Sequence, residues 1–320
     1  MTHNKYRLVT RSDFDGLVCA MLLKEMDLID EIKFVHPKDM QDGKIPITDR
    51  DITTNLPFVS GCHLAFDHHS SEVERNGSAP GNLVMSATAA SAARVVYDYY
   101  GGSSAFPRVS EDLMAAVDKA DSAQFTESEI LQPKGWTLLN FLMDSRTGLG
   151  RFREFRISNY ELMMTLIDHC LDLSIEQILE LPDVKERVDL YFEHQEKFEA
   201  QVRACATRHG DLVVLDLRDQ KAIFAGNRFL IYALFPECRI SMHVLWGVQQ
   251  QNTVFAIGKS ILDRSSLLDV GALCLAYGGG GHAAAGTCQV DNKEAEMVKG
   301  ELIQTITSSP ETSTRTERAA

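Results

Sequence analysis

Asp67-His68-His69 closes an apolar run, His63-Leu64-Ala65-Phe66, and sets a carboxylate and two imidazoles at the C-terminal edge of a buried strand. Asp and His are seldom buried without partners, and that edge is where open α/β sheets take ligands. The pattern suits a metal or acid–base site; its plain alternative is an exposed turn. Tyr6-Arg7-Leu8-Val9-Thr10 reads as a second short strand, running into Arg11-Ser12-Asp13-Phe14-Asp15-Gly16 and then an apolar helix from Leu17 to Met26. Two carboxylates at i and i+2 in such a βα turn offer hard oxygen ligands, and imidazole shifts preference toward Mn, Fe or Zn over Ca. Without a metal, Asp13 is a helix N-cap and Asp15 complements the helix dipole.

Asp118-Lys119-Ala120-Asp121 closes a helical stretch that starts near Glu111. Its acids at i and i+3 suit either the same site or a solvated face. A glycine run, Gly278-Gly279-Gly280-Gly281-His282, lies between the apolar segments Val270 to Tyr277 and Thr287 to Val290. Glycines let backbone amides approach an anion, and His282 can add charge.

The elements that must position these residues fall into three regions. From Tyr6 to about Ala123, strands such as Ile32 to His36 and His63 to Phe66 alternate with helices such as Ala87 to Tyr100, which favours a mainly parallel sheet. From Glu127 to about Arg208 the pattern is helical, clearest over Tyr160 to Leu171 and Val184 to Thr207. Strands return at Leu212 to Asp216, Ile240 to Trp246 and Thr253 to Ile257. The polar stretch after Ser308 reads as disordered. No internal repeat is evident.

At 320 residues and 44% hydrophobic content the chain can bury a large core. No run approaches the length of a membrane span, and the N-terminus carries no apolar signal segment. Seven scattered cysteines suit reduced thiols and hence a cytoplasmic protein. A net charge of −13 argues against duplex nucleic acid as partner. Against that background Arg146, Arg151, Arg153 and Arg156 stand close together; they could line the interdomain cleft or form a solvated helix face pairing with Glu154 and its neighbours.

Asp13-Phe14-Asp15-Gly16, Asp67-His68-His69 and Asp121, in this order and spacing, resemble the DHH phosphoesterase family. The Gly-Gly-Gly-Gly-His run is similar to the signature of the DHH-associated C-terminal domain. The resemblance covers about Tyr6 to Val290, and in whole-chain character is greatest to bacterial exopolyphosphatase-related proteins. It implies an α/β fold with a mainly parallel N-terminal DHH domain over residues 1–125 and a helical extension and linker over 126–209. A smaller α/β substrate-binding domain follows over 210–308, with a disordered tail at 309–320.

The resemblance also implies a metal-dependent phosphoesterase working at an interdomain cleft. Its substrate would be an oligoribonucleotide, a nucleoside bisphosphate, a dinucleotide or polyphosphate. Two departures matter. Arg11 stands where the family carries a His, and Asn55 where it carries a metal-bridging Asp. Arg11 then replaces one ion of the family's pair and takes Asp13 as partner. One Mn2+ (or Mg2+) remains, held by Asp15, His68 and Asp121, with Asn55 as a further oxygen and Asp13 in the original ligand set. His69 and Arg11 would neutralise phosphoryl charge, and Asp67 would orient an imidazole. Arg264, Gly279, Gly280, Gly281 and His282 would hold the distal part of the ligand. Partners implied are a small phosphorylated substrate or a short single-stranded oligonucleotide, with no duplex and no membrane; a homodimer stays open. So does a second class of function, a catalytically weakened sensor of such a ligand.

Overall fold

Leu8 and Val9 lie fully buried in the strand β1, Tyr6–Arg11, flanked on one side by β2, Ile29–Val35. On the other side follow β3, Asp51–Thr54, then β4, Leu64–Asp67, and β5, Leu83–Met85, giving the order β2-β1-β3-β4-β5 with every pair parallel. Burial on both faces explains why the strands read as apolar runs rather than alternating ones. The strand order reverses between β1 and β3, and the crevice beyond their C-terminal ends is the place such sheets leave for a ligand. Here the computed structural model describes residues 5–68, 81–152 and 154–308. His69, Arg153 and the tail 309–320 lie outside the described residues.

Helix α1, Phe14–Glu25, is buried continuously from Phe14 to Leu23, a helix apolar on all sides because it is enclosed. Helix α2, Ala92–Tyr99, begins later than the expected Ala87, because the Ser91 side chain accepts the Arg94 N–H and caps it there. Helix α3, Glu111–Asp121, packs against both, and α4, Gly135–Met143, packs against α3. Helix α5, Asn159–Asp172, carries a capping box at Ser158 and Glu161. Helix α6, Pro182–Cys205, is the long charged helix expected over Val184 to Thr207.

The chain divides into two units by contact: Met1–Gln124 with Pro133–Leu190, and Phe125–Gln132 with Tyr191–Ala320. The helical stretch 126–209 is thus shared between them. In the second unit, β6, Ala206–His209, β7, Leu212–Asp216, β8, Ile240–Trp246, and β9, Thr253–Lys259, form a mixed sheet with two later strands. These are β10, Gly280–His282, and β11, Ala285–Val290, in the order β10-β11-β9-β8-β7-β6. Helices α7, Val270–Leu275, and α8, Ala295–Thr307, cover one face, packing Val270, Cys274, Leu302 and Ile306 on Val214, Met242, Val244 and Phe255. All seven cysteines are free. Among the described residues no helix is long and apolar enough to cross a membrane.

On β8, alternation turns His243 away from the buried Met242 and Val244. Burial, and then the charge of Arg228, push its pKa down to about 4. An unfolded histidine titrates near 6.5, so the unfolded chain takes up a proton that the native chain refuses. Stability should be full above about pH 6.5 and fall as the pH drops toward about 4, by at most about 3 kcal/mol. His243→Gln should flatten urea midpoints across that window. A wild-type midpoint that does not move between pH 6.5 and 4 would contradict this.

Candidate active site and metal centre

The βα turn after β1 closes tightly: a Cβ on Gly16 would stand 1.9 Å from the Arg11 carbonyl oxygen, so no side chain fits there. That closure presents Asp13 and Asp15 together. Asp13 is the N-cap of α1, its Oδ1 accepting the Gly16 N–H at 3.0 Å, as the plain reading of the sequence also had it. The same oxygen accepts from Asn55 Nδ2 at 3.4 Å, and Oδ2 pairs with Arg11 Nε at 2.9 Å.

Asn55 follows β3 with φ of 54°, a left-handed conformation that asparagine tolerates better than most residues. Its N–H donates to the Phe66 carbonyl, tying the β3 edge to β4. Its side-chain Oδ1 is buried and has no hydrogen-bond partner among the described residues.

Asp15, 2% exposed, stands in the first turn of α1, where its charge complements that helix dipole, and its carboxylate also meets the N-terminus of α2. Its Oδ2 accepts the Ala92 N–H at 3.1 Å and its Oδ1 the Ala93 N–H at 2.7 Å. The α2 N-terminus is itself fixed by Ser91 Oγ donating to Asp118 at 2.7 Å and by Arg94 bound to the same carboxylate. Asp118 is therefore a structural anchor. Asp121, a turn further along α3, meets His68 Nε2 at 2.9 Å. Asp67 accepts the His68 main-chain N–H at 2.8 Å, holding the residue at the end of β4 rather than gripping its ring through that contact.

The structure thus brings Arg11, Asp13, Asp15, Asn55, Asp67, His68 and Asp121 to one edge of the first sheet. Candidate ligand atoms of Asp15, His68 and Asp121 lie within 4.8 Å of one another. Such crowding has an electrostatic signature. Burial raises the Asp15 carboxyl well above the usual carboxylate range, with Asp121 and Asp13 adding repulsion. Burial also raises Asp13, partly offset by Arg11. Burial alone would lower His68; the Asp121 bond and the neighbouring carboxylates outweigh it and push its pKa up to about 9. Two carboxylates closing on one imidazole, beside an orphaned amide oxygen, are a donor set that fits a divalent cation.

Other sequence-predicted residues lie in the second unit. A Cβ on Gly279 would meet the Thr287 carbonyl oxygen at 2.1 Å, and one on Gly281 would meet that of Ala285 at 2.2 Å. These two glycines are explained by the close pairing of β10 with β11. Gly280 faces open space, His282 is exposed, and Arg264 is exposed with Nε directed to the Ile261 carbonyl. The amides of Ala92 and Ala93 escaped the sequence reading; Ser91 followed by two alanines was the signal for them.

A five-stranded parallel sheet that gathers an Asp-x-Asp turn, an Asp-His pair and a helix-end Asp at its switch point defines a DHH phosphoesterase, and the chain belongs to that family. A pGpG-specific phosphodiesterase, PggH from Vibrio cholerae, is 59% identical over 95% of this chain and 99% of its own, with a TM-score of 0.81. Two distant structures share the fold. An exopolyphosphatase-related protein from Bacteroides fragilis is 12% identical, covering 94% of this chain and 92% of its own, at a TM-score of 0.52. RecJ from Thermus thermophilus in complex with Mn2+ is 16% identical, covering 95% and 52%, at 0.56. No protein-family model and no curated protein matches the chain. The chain is a phosphoesterase acting on small phosphorylated substrates.

Proposed function

We propose that this chain is a cytoplasmic phosphodiesterase, dependent on a single Mn2+ or Mg2+, that hydrolyses the linear dinucleotide pGpG to two molecules of GMP. The observation that carries this reading is the 59% identity to PggH over nearly the full length of both chains. The acidic cluster at the first sheet agrees with it.

Asp15, His68 and Asp121 would hold the ion, with Asn55 Oδ1 as a further oxygen. When bound, such an ion supplies Lewis acidity and makes water a better nucleophile near neutral pH. The amides of Ala92 and Ala93 keep Asp15 oriented before substrate arrives, so no reorganisation is needed at the moment of reaction. Arg11, tethered through Nε to Asp13, places fixed positive charge where the family carries its second cation. His69 would add charge at the phosphoryl group. Asp67 positions His68 through its main chain. In the second unit, we assign substrate binding to Arg264, Gly280 and His282, with Gly279 and Gly281 shaping the loop; that unit is the DHH-associated domain.

The test is GMP release by the purified chain with Mn2+. pGpG is compared with longer oligoribonucleotides, adenosine bisphosphate, cyclic dinucleotides and polyphosphate. The expected result is the highest kcat/KM on pGpG. Turnover of another member of the panel with none on pGpG would reject the substrate. Binding of pGpG without turnover would favour the sensor reading, for which the uncharged Asn55 is the specific ground.

A further inference from the structure

Four arginines between residues 146 and 156 stand out in an acidic chain, and the site described so far uses none of them. Arg156 precedes the α5 helix and pairs with Asp183 at 3.6 Å. Arg151 lies against Gly148, on which a Cβ would stand 1.9 Å from its Nη1, and has no carboxylate partner among the described residues. Arg146 is built differently.

Asp144 ends α4 and accepts both the Arg146 main-chain N–H at 2.9 Å and Arg146 Nε at 2.7 Å. The turn beyond it is pinned by the buried Thr147, whose hydroxyl donates to the Phe141 carbonyl at 2.6 Å. The guanidinium is therefore aimed through Nε, while neither terminal NH2 group has a hydrogen-bond partner among the described residues. Its side chain is 51% exposed. Helix α4 packs on α3, the helix that ends in Asp121, and Trp136 of α4 stacks on Phe14, between Asp13 and Asp15. Asp13 and Asp121 both help to hold the Arg146 guanidinium charged, and Arg146 in turn helps to hold the Asp13 carboxyl down. Arg11 repeats the arrangement from the strand side: Nε on a carboxylate, with no hydrogen bond from its terminal groups among the described residues.

We propose that Arg146 is a substrate-binding residue whose two terminal NH2 groups donate to non-bridging oxygens of the reacting phosphoryl group. A guanidinium tethered at Nε keeps a planar pair of donors, which matches phosphate geometry and which lysine cannot reproduce. The inference rests on the phosphodiesterase reading above for its substrate, but not for its anion. Arg146 does not hold the ion, so its effect should be separable from metal binding.

The experiment compares the full-length wild type with Arg146→Gln and Arg146→Lys. Three quantities are read: kcat and KM for pGpG with Mn2+, affinity for inorganic phosphate in the metal-free chain, and Mn2+ affinity without nucleotide. Arg146→Gln should weaken phosphate binding and lower kcat/KM by about 10- to 100-fold, with Mn2+ affinity within about twofold of wild type. Arg146→Lys should recover only part of the loss. If wild type fails on pGpG while Arg146→Gln still loses phosphate affinity, the substrate reading falls and Arg146 stands. Unchanged phosphate affinity in Arg146→Gln overturns the inference. So does a thermal midpoint lowered in step with activity and restored fully by lysine, since that marks a structural staple.

Discussion

Asp15→Asn is expected to cut Mn2+-dependent hydrolysis by about 10³-fold, the scale of losing several kcal/mol of charge stabilisation, while leaving the metal-free fold nearly as stable as before. The two halves of that expectation have opposite physical origins. The carboxylate at Asp15 is held above its ordinary pKa by burial and by its acidic neighbours, so ionising it works against the folded chain. Asparagine removes that penalty. It also leaves one of the Ala92 and Ala93 amides without its acceptor, a loss of about 1 kcal/mol or somewhat more. The terms nearly cancel, and the thermal midpoint in chelator should move by only a few degrees. A large drop in midpoint would instead make Asp15 a structural residue, and full activity in the variant would remove it from the site.

The double reversion Arg11→His with Asn55→Asp should change metal stoichiometry from one Mn2+ per chain to two without raising activity. Arg11 now neutralises Asp13 at 2.9 Å, and Asn55 offers one uncharged oxygen. Histidine and aspartate would free Asp13 and supply a bridging charge, recreating the family's pair of ions. If Arg11 and Asn55 belong to a working one-ion site, kcat/KM should fall or stay within about threefold, because the guanidinium that met the phosphoryl oxygens is gone. A sharp rise in turnover would mean the natural site is weakened and would support the sensor reading. Counting bound metal and measuring rates on the same preparation separates the cases.

Much of this was legible in the sequence for simple reasons. Buried parallel strands read as apolar runs, so Tyr6–Arg11 and Leu64–Asp67 announce themselves, and acids or histidines at their ends are conspicuous. Three-residue β5 is too short to show any period. The expected start of α2 falls too early because Ala87, Ala89 and Ala90 are strong helix formers, and only the Ser91 cap sets the boundary. Partners across the chain were beyond reach: nothing local says that the Asp15 carboxylate accepts the first amides of α2, or that Asp118 binds Arg94 while Asp121 binds His68. The glycine run shows another limit. Composition suggests an anion loop, while the close approach of β10 and β11 already accounts for two of its glycines.

The most direct measurement is a titration of Mn2+ into the metal-free chain with pGpG present, following GMP release against ions bound. The one-ion site at Asp15, His68 and Asp121 predicts a rate that rises linearly and levels off at one ion per chain, with no such rise in Asp15→Asn. Activity that begins only as a second ion binds, or that is indifferent to Asp15, would contradict it.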